Sequence, residues 1–150
     1  MQMAVQFLSA LCISFGFALV FGLKGKSVFF ASIGGALTWG LYLLCRLGLS
    51  NLFLLNLIAA AFAAAYSEAM ARVCKMPSTA FLAPTIISLV PGGSLYYTLL
   101  YLIGKEKEKS GEAGVNTLLT AGGIAVGVVL VSVAVRFLTG RLWHKDTRKL

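Results

Sequence analysis

Five stretches of this chain run without a charged side chain for about the length a helix needs to cross a bilayer. They lie at 3–23, 27–45, 47–67, 76–104 and 113–135, and contain 21, 19, 21, 29 and 23 residues. Roughly 20 apolar residues span the hydrocarbon as a helix, so each run is long enough. Only 12% of residues are charged and 59% are hydrophobic, with a mean hydropathy of +0.88. A soluble domain of 150 residues would need far more polar surface. The predicted fold class is an all-α integral membrane protein with about five transmembrane helices. They would form a single transmembrane domain over 1–150, with spans near 3–23, 27–45, 47–71, 77–103 and 113–137. "MQMAVQFLSALC" has no cation before its apolar stretch, so the first run reads as a retained helix, not a cleaved signal peptide.

A net charge of +8 raises nucleic-acid binding, but the distribution of the cations argues against it. They sit in short connections and in the tail, where the positive-inside rule uses them. With five spans and the N-terminus outside, Lys24, Lys26, Arg72, Lys75 and the tail cations put nine of 13 inside. Arg46, Lys105, Lys107 and Lys109 are the four outside. A re-entrant fourth run would move the tail outside and give seven against six, so five spans with a cytoplasmic C-terminus in the cell membrane are expected.

Other chemistry finds little support. Cys12, Cys45 and Cys74 are far apart and form no CxxC pair, which argues against a metal or redox site. "GLKGKS" at 22–27 ends like a P-loop, but the position of the required first glycine is Val20. His144 follows Trp143 in the basic tail, where an interfacial role fits better than catalysis. Neither a cofactor nor an enzyme activity is expected.

The helices are suited to close packing. "IAAAFAAAYSEA" in the third run and Gly123 and Gly127 in the fifth let backbones approach, since lipid gives no hydrophobic drive for helix pairing. These faces serve an internal bundle contact, or an interface with another subunit (a second copy of this chain included) or with a sliding element.

Interrupting the fourth run is "PTIISLVPGGSLYYTLL" at 84–100. The run, framed by Pro77 and Ile103, has its midpoint at residue 90, beside Pro91, Gly92 and Gly93. Proline lacks an amide hydrogen and clashes with a continuing helix, and paired glycines favour unwinding. Pro84 adds a weak point one or two turns earlier. Unsatisfied backbone in hydrocarbon is costly, so a break survives only inside protein or beside a water-filled cavity. Two half-helices are expected near mid-membrane, with Ser94 capping the second and the amides around Gly93 to Leu95 facing the gap. Such an N-terminus can hold a substrate carboxylate; the alternative is a kinked helix that merely packs. Tyr96, Tyr97, Thr98 and Tyr101 follow the break, either lining a pore or anchoring the outer interface. Candidate substrate-binding or gating residues are Pro84, Pro91, Gly92, Gly93, Ser94, Tyr96 and Thr98. Glu68 precedes Arg72 by four residues, the favourable order for a helical ion pair. It reads as a structural pair or as a proton-coupling carboxylate, since intramembrane acids mark ion pathways.

The block "SEAMARVCKMPSTAFLAPTIISLVPGGSLYYTL" resembles the signature of the ThrE-type threonine/serine exporters, in their C-terminal membrane half. The similarity falls on Ser67, Glu68, Ala71, Arg72, Pro77 and Pro84, then on Leu89, Val90, Pro91, Gly92 and Tyr96. Upstream, Gly34, Gly35 and Trp39 fit the family's second helix. Thr85 and Ser88 depart from it, standing where relatives usually carry a "Pg-x-x-P" pattern. The resemblance implies a short subunit of a split, two-component (YjjP/YjjB-like) secondary exporter, completed by a second membrane subunit. It implies export of threonine and serine; a C4-dicarboxylate such as succinate is the alternative solute. A non-transporting scaffold for the partner is the remaining reading.

Overall fold

The computed structural model describes residues 2–146, with side chains over 4–138, and the regular elements among them are all helical. Arg148 and Lys149 of the charge count lie outside the described residues, as do the side chains of Arg141, Trp143, His144 and Lys145.

Helix α1 (Gln2–Val20) ends where the chain needs conformations that L side chains avoid, with Gly22 at φ 75° and Gly25 at φ 57°. The chain reverses there, and α2 (Lys26–Arg46) returns antiparallel along α1. The register is set by glycine: Gly35 lies against Ser14, and a Cβ on Gly40 would come 3.3 Å from the Phe7 ring. Helix α3 (Leu52–Cys74) starts under the Asn51 side chain, whose oxygen accepts from the N–H groups of Phe53 at 3.0 Å and Leu54 at 3.3 Å. Its end is a left-handed cap at Lys75 (φ 53°). There the Met76 N–H reaches back to the Ala71 carbonyl at 3.0 Å, and Pro77 prevents further winding.

The remaining elements are α4 (Ser78–Ile86), a 3-10 turn (Ile87–Leu89), α5 (Gly92–Ile103) and α6 (Lys107–Asp146). Among the described residues, three helices are long and apolar enough to cross a membrane: α2, α3 and α6 over Lys107–Leu138. The pair Ser78–Leu89 and Gly92–Ile103 makes a fourth when taken as one span bent by 53°. At 1.5 Å per residue each half is about 18 Å long, and with both halves equally tilted the pair reaches about 32 Å. The hydrocarbon core is about 30 Å thick, so the bend leaves enough length. The first expected span, 3–23, corresponds to α1, whose apolar part over Ala4–Val20 is shorter than these spans.

Two packing centres hold the bundle. Helix α4 seats against α1, α2 and α3, where Phe81 is fully buried among Ala18, Leu23, Val28, Ala31 and Ala71. The most extensive helix contact is α3 against α6. A Cβ on Gly123 would lie 2.5 Å from the Phe53 carbonyl oxygen, and one on Gly127 would lie 2.5 Å from that of Leu57. These glycines make an internal contact, the first of the two readings open from sequence. Trp39 and Tyr42 of α2 pack on Ala59 and Ala60 of α3, and a polar tie adds to this: the Tyr66 hydroxyl donates to the Phe30 carbonyl at 2.8 Å. Bonds of this kind in membranes average about 0.6 kcal/mol and reach about 1.7. Tyr66→Phe should therefore lower the unfolding free energy by about 1 kcal/mol in a denaturant titration of the detergent-solubilised protein.

Candidate functional site

The helix break has a local cause. Pro91 disfavours α conformation in the residue before it, and Val90 accordingly leaves the helix at ψ 127°. Pro84 removes one amide donor upstream, and the chain tightens into the 3-10 turn before it breaks. Helix α5 then starts at Gly92 with Pro91 as its N-cap and without a side-chain capping bond. Ser94 is thus the third residue of α5 and does not cap it, contrary to the sequence expectation. Proline itself occupies the cap position, three residues earlier. The Gly92 N–H bonds the Val90 carbonyl at 2.8 Å and the Leu95 N–H bonds that of Pro91 at 3.0 Å. Of the first-turn amides, those of Gly93 and Ser94 are left over. A Cβ at Gly92 or Gly93 would meet nothing within 4 Å, so the elbow is open.

The structure does not bring the predicted residues together in one place. Pro84 is buried in the bundle, its carbonyl oxygen 3.3 Å from where a Gly35 Cβ would stand. Pro91, Gly92 and Gly93 form the elbow. Ser94 lines a groove of about 410 Å³ between α5 and α6, with Tyr97, Tyr101, Lys109, Glu112 and Asn116. Tyr97 and Tyr101 share this face, stacked 6.0 Å apart, and the Lys109 ammonium, paired with Glu106 at 2.6 Å, lies 5.7 Å from the Tyr101 ring centre. Thr98 donates to the Ser94 carbonyl at 2.7 Å, while the Ser110 hydroxyl donates to the Thr98 carbonyl at 3.0 Å and joins α6 to α5. Tyr96 is 61% exposed and meets the Tyr97 ring edge-on at 5.4 Å. Glu68 and Arg72 lie on the last two turns of α3, next to the start of α4, whereas the break follows the other end of α4. Helix α5 itself buries no residue and packs chiefly on α6.

A second cleft, of about 220 Å³, opens on the other side of the break. Val5, Gln6, Ser9 and Ile13 of α1 line it, with Trp39 of α2 and Ser88 of the 3-10 turn. Among the described residues, four buried polar atoms have no hydrogen-bond partner: Ser14 Oγ, Thr38 Oγ1, Trp39 Nε1 and Ser88 Oγ, the last two in residues that border this cleft. Ser14 and Thr38 are fully buried. Each such orphan costs about 1–3 kcal/mol. Other buried hydroxyls avoid this by bonding the carbonyl four residues back, as Ser32, Ser67 and Thr85 do. Sequence reasoning passed over this cleft, though Trp39 carried a signal. Indoles concentrate at membrane interfaces, and Trp39 lies about 5 Å along the axis from the middle of α2.

Apolar helices of spanning length and a bent helix pair define a helical, multi-pass membrane protein. The threonine/serine exporter (ThrE) family profile matches residues 6–134, and the chain belongs to that family. No curated protein and no solved structure matches the chain.

Proposed function

We propose that this chain is the membrane subunit of a secondary exporter of threonine and serine and works with a second membrane subunit. It lies in the cell membrane with its N-terminus outside and its C-terminus in the cytoplasm. The observation that carries this reading is the elbow, where the amides of Gly93 and Ser94 lack backbone partners. Two adjacent N–H groups at a helix start favour a carboxylate, and the open surface at Gly93 gives it access. The need for a partner is supported by α5, which buries none of its residues within this chain. Glu68 and Arg72 serve the cytoplasmic side, as an ion pair that stabilises α3 or relays a proton.

Efflux from cells lacking their own exporters tests this. The cells are preloaded with threonine, serine or succinate, and express this chain alone or with the second subunit. Efflux of threonine and serine is expected only with both subunits, and a protonophore should abolish it. Succinate efflux would change the solute class and keep the architecture. No efflux in either condition, with both proteins in the membrane, would retire the transport reading and leave the scaffold.

A further inference from the structure

Gly123 meets Phe53 in the first turn of α3 and Gly127 meets Leu57, so α3 and α6 run parallel from that level. Residues 109–116 of α6 therefore lie about 10–20 Å beyond the start of α3. Helix α5 runs antiparallel along them. The Ser110 hydroxyl donates to the Thr98 carbonyl at 3.0 Å, and a Cβ on Gly114 would come 3.5 Å from the Thr98 methyl. This register sets Glu112 level with Thr98, next to Tyr97. Ser94, Tyr97 and Tyr101 on α5, and Lys109, Glu112 and Asn116 on α6, each recur at i, i+3 and i+7, one face of a helix. Between these faces lies the groove of about 410 Å³, and the two charged residues that line it have opposite signs. Lys109 is held by Glu106 and lies over the Tyr101 ring, whereas Glu112 has no ion-pair partner among the described residues.

We propose that this groove binds a small zwitterion, its ammonium held by the Glu112 carboxylate and the Tyr97 and Tyr101 rings, its carboxylate by the Lys109 ammonium. This deepens the transport reading and rests on it for the solute and the direction of passage. A carboxylate beside aromatic rings attracts an ammonium by charge and by the ring quadrupole. Lys109, three residues earlier and about 4.5 Å away along the axis, supplies the opposite charge for the anionic end. Succinate would bring a carboxylate to Glu112 and be repelled. The volume corresponds to about 14 waters at about 30 Å³ each, so a small zwitterion enters with much of its hydration shell. In the proposed orientation the groove lies on the outer side, where it forms an exit vestibule, and Ser94 at its inner end adjoins the elbow. A phosphatidylethanolamine headgroup carries the same ammonium beside an anionic phosphate, so the two sources have to be told apart.

The full chain in phosphatidylcholine nanodiscs should bind radiolabelled L-threonine saturably, with L-serine competing and succinate not. Glu112→Gln and Tyr97→Leu should each weaken binding about fivefold at an unchanged melting temperature, the effect of losing one exposed ion pair or cation–π contact. Glu106→Gln removes the same charge from a residue that does not line the groove, and should leave the affinity unchanged or raise it by freeing Lys109. Absence of saturable binding overturns the site, as does an affinity that both Glu112→Gln and Tyr97→Leu leave unchanged. Equal competition by succinate overturns its selectivity for zwitterions. Threonine binding that persists when the nanodiscs contain phosphatidylethanolamine supports a solute site. Binding that this lipid abolishes assigns the groove to a headgroup and overturns its place on the export path. Efflux by the complete exporter that Glu112→Gln leaves unchanged would keep the transport reading and remove this site. Threonine binding that depends on Glu112, without efflux, would do the reverse.

Discussion

Gly127→Ala is expected to lower the stability of the protein by about 3 kcal/mol, and Gly123→Ala to do the same. Taken alone, alanine should improve a helix at either position by about 1 kcal/mol. The sign reverses because the space is occupied by backbone. A Cβ at Gly127 would stand 2.5 Å from the Leu57 carbonyl oxygen and 3.1 Å from the Ala61 nitrogen. The Cβ at Gly123 would meet the Phe53 carbonyl oxygen at 2.5 Å. A carbonyl fixed in the α3 ladder cannot swing aside as a side chain does, so α6 must move off α3. That contact is the most extensive in the bundle and carries α5 with it. Gly111 lies on the same helix but would place its Cβ in open space. Gly111→Ala should therefore be neutral or stabilising by up to about 1 kcal/mol. Thermal melts of the three variants in one detergent compare the signs directly. A stable Gly127→Ala protein would mean that α3 and α6 do not pack through these glycines.

Gly93→Leu should abolish efflux and leave membrane insertion and melting temperature close to the parent. Nothing lies within 4 Å of the position its Cβ would take, so the isobutyl group displaces no part of the fold. It covers instead the two first-turn amides at the elbow and stiffens a glycine that a moving hinge would use. Efflux assays paired with quantified membrane protein distinguish a lost site from a lost protein. Unchanged efflux would remove the elbow from the pathway, whatever its shape.

The break was legible because its cause is local. A proline within an apolar run withholds a donor regardless of its neighbours, and Pro91 does so in the sequence as in the fold. Its details were less so: Ser94 read as the cap because serine favours that position, yet Pro91 forces Val90 out of the helix and takes the cap itself. The pair Gly123 and Gly127 announced a face suited to close contact. Spacing alone gives a face without its neighbour, and the carbonyls of Phe53 and Leu57 emerge only from the assembled bundle. The orphan hydroxyls were hidden for a related reason. Ser14 and Thr38 look like Ser32, Ser67 and Thr85, which satisfy themselves on their own helix. Which of them do so is settled by what the adjacent helix leaves room for.

The order of helices along the chain also shapes how the protein is made. Helix α4 leaves the ribosome after α1, α2 and α3, the three helices it packs against, so its seat is ready when it arrives. Helix α5 has the opposite schedule: its main partner is α6, which is synthesised after it. At about 5–20 residues per second, the 35 residues from Ile103 to Leu138 take roughly 2–7 s to appear. During that interval a half-helix of 12 residues, too short to cross the bilayer unaided, depends on its covalent link to α4. Biogenesis of this small membrane protein thus has a vulnerable moment, set by its own chain order, between the emergence of α5 and that of α6.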